Sequence, residues 1–443
     1  MEEQNKQYLI EPTRTFNQKA SFLLLTGSVM GSGIFFKQAD VLKFAGSPFW
    51  ALMAWILGGL ITLTASLTIS ELGSKYTTGG IYTYLKQIYG KFAAFMSGWV
   101  QVIIYGPATI ATLGMYLAIM LVDFMGLPLK YFSYLAIGIV VLTFAANSIS
   151  LRYGVRVQME LTIIKIILII AIVVGGLLHG KSQIVVTSSS GQNLFDHRFG
   201  VAVISCLFAY DGWSAIANMG REVQNPSKVI PQTLIKGALT VLVSYVLITV
   251  VFLQVLPPEL ILDLGKETAP FFGHYIFGKI GGKIFNIGII LTILACLNGK
   301  MITFSRVVLS MANDNQLPFS KYLMRYSTKS QSPILAIALI SMIAITMIIF
   351  FDPGKLSRIC IFSIYLFYLM SFIGVFIIRH RKVETPYKVP LFPVIPLIAI
   401  IGAIFVLYSE IVYDWEAILV LGGFGILGIP VYFLMKHHRE KAL

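Results

Sequence analysis

Glycine and serine cluster in the first apolar stretch of the chain, where they could expose main-chain groups for binding. Residues 27–33 read Gly-Ser-Val-Met-Gly-Ser-Gly and lie in an otherwise apolar segment, residues 20–36. In hydrocarbon an unpaired backbone N–H or C=O group costs several kcal/mol, so a broken helix persists only beside a protein-lined cavity. The half-helix after Gly33 would direct free N–H groups and a positive dipole end at that cavity, which favours an anionic substrate group. The alternative is a small-residue face for helix packing.

A second polar interruption, Phe-Ala-Tyr-Asp-Gly-Trp, occurs at residues 208–213, five predicted spans later. Asp211 is the only carboxylate that we predict to lie deep in a span, where a charge costs at least ~3 kcal/mol on insertion scales. Two roles are open for it. It could cap the half-helix after the break, which we favour, or contact a substrate directly. Both roles require a broken helix.

Two lysines fall inside predicted spans. Lys165 is about eight residues into its segment, roughly 12 Å deep at about 1.5 Å per residue, which is too deep for easy snorkelling. We expect it to face the bundle interior and contact carbonyl or hydroxyl groups, where its ammonium could replace a bound cation. Lys300 lies midway along another segment, and the sequence does not decide between lining a path and bonding a neighbouring helix.

Charged residues also end the sixth predicted segment, at Arg221 and Glu222, before the turn signal Asn225-Pro226. These charges could form an inner gate or a solvated helix end, and we favour the solvated end.

Composition places the chain among integral membrane proteins. It has 443 residues, of which 57% are hydrophobic and 12% charged, whereas soluble domains carry about 25% charged residues. The formal charge is +14, but the basic residues lie between apolar segments, so we predict no nucleic-acid partner. Cys206, Cys296 and Cys360 lie in apolar segments without metal-ligand spacing, so we predict no disulfide framework, metal or cofactor. We also expect the first segment to be retained, because no signal-peptide cleavage pattern follows it.

These segments predict an all-α integral membrane fold with twelve transmembrane helices in one domain, residues 1–443. The two interruptions five spans apart suggest inverted repeats, residues 20–180 and 199–380, followed by two additional helices in residues 391–435. The predicted spans cover residues 20–36 (continuing to about 45), 48–73, 91–122, 128–149, 158–179, 199–221, 236–257, 280–311, 333–351, 357–379, 391–412 and 415–435.

Loop charges predict the orientation. With twelve spans, the loops on the side of the termini carry more than twice as many lysines and arginines as the opposite loops. The positive-inside rule therefore places both termini in the cytoplasm.

The motifs at residues 31–35 (Gly-Ser-Gly-Ile-Phe), 208–213 and 222–226 (Glu-Val-Gln-Asn-Pro) together resemble the amino acid–polyamine–organocation superfamily. Within it the chain is most similar to the L-type amino acid transporters, especially bacterial members, and the similarity covers essentially the whole chain. The resemblance implies a LeuT-type fold of five-plus-five inverted repeats with discontinuous helices 1 and 6. It also implies sodium-independent exchange of neutral, small amino acids across the plasma (inner) membrane by alternating access.

The resemblance also assigns roles to individual residues. It implies that backbone N–H groups of Gly31, Ser32 and Gly33 bind the substrate carboxylate. Carbonyl groups would bind the substrate ammonium, a gate and selectivity set would surround the side chain, and Lys165 would replace a sodium ion. The carbonyl groups are those of Val29, Phe208 and Asp211, and the gate and selectivity set is Phe208, Ser214, Tyr245 and Cys296.

Departures from animal members limit what the resemblance implies. The loop of residues 123–130 lacks the cysteine that binds their heavy subunit, so we expect no disulfide-linked heavy subunit.

Other functions remain open beside amino acid exchange. Proton symport with Lys165 as the proton carrier is one alternative, and a non-transporting amino acid sensor is another. An enzyme is a third, but no nucleophile–base or metal constellation is present to support it.

Overall fold

Helices make up almost all of the described chain, because apolar segments in a membrane must satisfy their backbone groups internally. The computed structural model describes residues 14–149, 151–179, 197–327, 330 and 332–441. Within these residues the α-helices are α1 (Gln18–Val29), α2 (Gly33–Phe36), α3 (Gln38–Ala45), α4 (Pro48–Lys75), α5 (Gly80–Tyr89), α6 (Lys91–Val100), α7 (Gly106–Met125), α8 (Phe132–Ile149), α9 (Leu151–His179), α10 (His197–Tyr210), α11 (Ala215–Asn218), α12 (Pro226–Val255), α13 (Pro258–Leu264), α14 (Thr268–Asn313), α15 (Ser320–Leu323), α16 (Ile334–Phe350), α17 (Pro353–His380), α18 (Val394–Tyr413) and α19 (Trp415–Lys441).

The described residues include nine helical segments that are long and apolar enough to cross a membrane. Two shorter apolar helices, Arg198–Tyr210 and Ile334–Phe350, accompany them. The predicted all-helical, multi-pass membrane class is therefore confirmed. The count of twelve spans and the inverted repeats stay predictions.

Several boundaries differ from those that the apolar pattern predicts. Helix α12 begins at Pro226, ten residues before the predicted 236, because its first turns are helical but carry polar residues. Helix α14 begins at Thr268 rather than 280 and bends at Gly278, whose φ of 69° is not helical. The short helices α5 and α13 fall between predicted spans. Most of the predicted polar gap at residues 180–198 lies outside the described residues.

The interrupted helices sit at the centre of the bundle. Helix α1 packs on α12, α9 and α14, and α10 packs on α4, α18 and α17. Continuous helices therefore enclose both interruptions, which keeps lipid away from their unpaired backbone groups.

Candidate functional site

The first predicted interruption is present. Helix α1 ends at Val29, Met30 leaves the helical region with ψ of 85°, and α2 begins only at Gly33. Gly31, Ser32 and Gly33 are all buried. The N–H groups that open α2 have no preceding helical turn to accept their hydrogen bonds, so polar main-chain groups lie in the protein interior without intrahelical partners.

The glycines of this break also allow close packing against neighbouring helices. A Cβ atom on Gly33 would lie 2.3 Å from the Cα of Ala209, and one on Gly31 would lie 2.6 Å from the Sγ of Cys296. The small residues therefore serve both the predicted break and the alternative role in packing. They bring the first break directly against α10 and α14.

The second predicted interruption is present as well. Helix α10 ends at Tyr210, a turn covers residues 211–214, and α11 begins at Ala215. Gly212 adopts φ of 106°, which strongly favours glycine. A Cβ atom there would lie 2.8 Å from the carbonyl oxygen of Ser28. The two breaks thus lie so close together that neither Gly33 nor Gly212 leaves room for a side chain.

Asp211 forms a buried ion pair in this second break. Its Oδ2 atom pairs with the ammonium of Lys300, and its Oδ1 atom accepts a hydrogen bond from the hydroxyl of Tyr105. Side-chain exposure is only 3% for Lys300 and 4% for Asp211. The favoured capping role is wrong, because among the described residues the carboxylate bonds Lys300 and Tyr105 and no backbone N–H group at the start of α11. The open question about Lys300 is also answered, since it bonds Asp211 on a neighbouring element.

Lys165 lies in the bundle interior, as its depth in the sequence predicts, and contacts the last turn of α1 just before the first break. Its ammonium donates a hydrogen bond to the carbonyl oxygen of Gly27, 2.6 Å away, and the residue is fully buried. The expectation of an interior lysine bonded to a carbonyl is therefore confirmed, and snorkelling is excluded.

Main-chain carbonyls of both breaks already have partners. The hydroxyl of Tyr245 lies 3.2 Å from the carbonyl oxygens of Val29 and Ala209, one from each broken helix. Cys296 donates from its thiol to the carbonyl oxygen of Ser28 at 3.1 Å. The proposed gate residues Tyr245 and Cys296 therefore bind the broken backbone itself.

The carbonyl of Phe208 accepts a turn hydrogen bond from the N–H of Asp211 at 3.3 Å. The Phe208 ring is buried, with its centroid 6.4 Å from that of Tyr116 on α7. The hydroxyl groups of Ser214 and of Tyr368 on α17 share a hydrogen bond of 3.0 Å. The sequence-predicted residues thus lie around the facing breaks.

Three residues of this region are absent from the sequence-based set: Tyr105, Tyr368 and Lys37. Tyr105 ends a π-helical turn, residues Gln101–Tyr105, that interrupts the third apolar segment. Such turns occur often at functional sites, but no sequence pattern marks this one. Lys37 directly follows the first apolar segment, so it reads as a loop residue.

Glu222 is buried on the side of the bundle that carries the start of α1. Its carboxylate pairs with Arg306 at 3.0 Å, with side-chain exposure of 9% and 6%. Phe16 forms a parallel bridge with Val223, in which the Phe16 N–H donates to the Glu222 carbonyl at 2.9 Å. The Gln224 N–H donates back to the Phe16 carbonyl, also at 2.9 Å. The favoured interpretation as a solvated helix end is therefore wrong for Glu222.

The sequence of this chain is similar to those of known proteins along nearly its whole length. Residues 16–414 match the amino acid permease family. The chain is 40% identical to the serine/threonine exchanger SteT of Bacillus subtilis (strain 168), over 94% of this chain and 96% of that protein. It is 26% identical to the mouse b(0,+)-type amino acid transporter 1, over 94% of this chain and 86% of the relative. It is 27% identical to the human cystine/glutamate transporter, over 93% and 83%. With its family resemblance confirmed over most of its length, the chain belongs to the amino acid permease family, whose members are transporters rather than enzymes.

Proposed function

We propose that the protein is a sodium-independent exchanger of small neutral L-amino acids, such as alanine, serine and threonine, across the plasma membrane. The observation that carries this proposal is the direct apposition of the two helix breaks, with Gly212 against Ser28 and Gly33 against Ala209. Apposed breaks bring N–H groups and carbonyl groups of two helices to one buried place. A zwitterion needs both kinds of group within a few ångströms.

Recognition of the shared amino acid groups falls to the backbone. N–H groups of Gly31, Ser32 and Gly33 bind the substrate carboxylate, helped by the positive dipole end of α2. Carbonyl oxygens of Val29, Phe208 and Asp211 bind the ammonium. The present partners of Val29 and Phe208 do not prevent this, because a carbonyl oxygen accepts two hydrogen bonds.

Side-chain selection falls to Phe208, Ser214, Tyr245 and Cys296, which border the breaks. The name of the Bacillus subtilis relative, a serine/threonine exchanger, supports a preference for small substrates. Lys165 places an ammonium group on the Gly27 carbonyl, close to the first break, where a carrier that uses sodium would need an ion.

The proposal includes a definite arrangement in the membrane. Twelve helices form two inverted repeats, residues 20–180 and 199–380, followed by two helices in residues 391–435, and both termini are cytoplasmic. The protein works without a disulfide-linked heavy subunit, because the loop of residues 123–130 contains no cysteine.

Purified protein in proteoliposomes tests this function. Uptake of labelled serine should require amino acid inside the vesicles and should ignore sodium and pH gradients. A panel of unlabelled amino acids competing for uptake would give the substrate range. Strong uptake into empty vesicles driven by a proton gradient would instead identify a symporter with Lys165 as the proton carrier. Serine binding without any flux would identify a sensor.

A further inference from the structure

Lys37 is a charged residue buried where the first broken helix continues beyond α2. Only 2% of the residue is exposed. Its ammonium donates to the hydroxyl of Ser357 at 3.1 Å and pairs with Asp40, also at 3.1 Å. The ammonium also lies 5.8 Å from the ring centroid of Phe208 and 5.9 Å from that of Tyr116, within the range of cation–π attraction.

These contacts differ in what they connect. Asp40 is three residues farther along the same segment and its side chain is 46% exposed, so it moves together with Lys37. Ser357 lies on α17, Phe208 on α10 and Tyr116 on α7. The ammonium therefore joins the first broken helix to three other helices, and only these contacts are lost if the helices separate.

The position of Lys37 along the chain shows on which side of the breaks these interhelical contacts lie. Lys37 follows Gly33 by four residues, so it lies about 6 Å farther along the helix, away from the start of α1. Phe208 precedes the second break on the same side. The Phe36 ring stacks on Tyr116 with centroids 4.7 Å apart, which completes an aromatic layer under the ammonium. Lys37 thus lies between the breaks and the side of the bundle opposite the start of α1.

We propose that Lys37 is the outer lock of the transport cycle, a positioning residue that holds the Phe208 gate closed by bonding Ser357. This inference rests on the proposed alternating access. In the closed state the ammonium exchanges water for a hydroxyl, a carboxylate and two rings, which limits the cost of burying its charge. In the outward-open state water replaces Ser357 and the rings, while Asp40 remains beside the ammonium. The lock is therefore reversible.

Accessibility of a native cysteine tests the lock without measuring transport. Cys296 contacts the first break, so it reports on a path from outside to the site. In a background with Cys206→Ala and Cys360→Ala, a membrane-impermeant thiosulfonate added outside intact cells should label Cys296 slowly. Ser357→Ala should increase the labelling rate about fivefold, the population shift that follows from losing one net hydrogen bond. Lys37→Met should increase it at least as much, because it also removes the two ring contacts. The double variant should gain little more, because both changes remove the same contact.

Lys43→Met is the matched control, since Lys43 lies on the same segment but is exposed. It should label like the parent protein. Ser357→Ala removes only one hydroxyl group, so it still tests the lock if the lysine variant misfolds. Thermal stabilisation by added serine shows whether each variant still binds an amino acid. Unchanged labelling in both lock variants would overturn the lock. Failure of the wild-type protein to exchange amino acids would overturn the proposed function instead, and the labelling rates would still decide whether Lys37 closes this route.

Discussion

The ammonium of Lys165, on α9, lies 2.6 Å from the carbonyl oxygen of Gly27, in the last turn of α1. The carboxyl end of a helix carries partial negative charge, and its last carbonyls lack intrahelical partners. Lys165 therefore neutralises the end of α1 where the chain leaves the helix. The broken helix is stabilised by a cation that belongs to the protein.

Replacing Lys165 should disable transport without preventing insertion. Lys165→Met keeps most of the side-chain volume but leaves the Gly27 carbonyl unpaired, and a hydrogen bond to a charged group contributes about 1.5–3 kcal/mol. We expect serine exchange in proteoliposomes to fall at least ~10-fold, which corresponds to about 1.4 kcal/mol. Arg156→Met, at the exposed start of the same helix, should exchange normally. Full activity of Lys165→Met would remove the lysine from the mechanism.

A methyl group at Gly33 should separate the two breaks. The new Cβ atom would lie 2.3 Å from the Cα of Ala209, a distance that backbone movement alone relieves. We expect Gly33→Ala to abolish measurable serine binding, assayed by thermal stabilisation, and exchange with it. Gly138→Ala is the matched control on α8, where an added Cβ atom has no neighbour within 4 Å. Equal binding by both variants would contradict the apposition of the breaks as the basis of the site.

Replacing one member of the Asp211–Lys300 pair should reduce the stability of the protein more than replacing both. Asp211→Asn or Lys300→Met alone leaves a buried charge without its partner, which costs about 3–5 kcal/mol of stability. The double variant leaves no such charge, so its thermal unfolding temperature in detergent should lie above those of both single variants. Glu160→Gln, which removes an exposed ion pair with Arg156, should cost under ~1 kcal/mol. Additive losses in the double variant would show that the two residues do not act as a pair.

The hydroxyl of Tyr245 should matter because it bridges both broken helices. Tyr245→Phe removes the group that lies 3.2 Å from the carbonyls of Val29 and Ala209. Loss of a buried hydrogen-bond partner costs about 1–3 kcal/mol, so we expect lower thermal stability together with at least ~5-fold slower exchange. Tyr134→Phe changes a tyrosine that is 75% exposed on α8 and should leave both unaltered. A fully stable, fully active Tyr245→Phe protein would show that the hydroxyl does not hold the breaks.

Sequence reasoning identifies the breaks because their signal is local. Three glycines in seven residues, or an aspartate followed by glycine within an apolar run, are costly in a continuous membrane helix, so the pattern alone predicts an interruption. The depth of Lys165 in its segment likewise excludes an exposed position.

The partners of the buried charges could not be predicted in this way. Asp211 is 89 residues from Lys300 and 106 from Tyr105, and Lys37 is 320 residues from Ser357. Only the packing of distant helices brings these groups together. From the sequence, capping is therefore the simpler expectation for Asp211, and Lys37 resembles a loop residue at the end of its segment.

The short bridge between Phe16 and Val223 couples the two interrupted helices mechanically at the end where α1 starts. If α1 moves at this end, the backbone hydrogen bonds of the bridge would move Glu222 with it. That movement would separate the Glu222 carboxylate from Arg306. A covalent staple between positions 16 and 223 would therefore leave turnover intact, whereas one between positions 222 and 306 would arrest it.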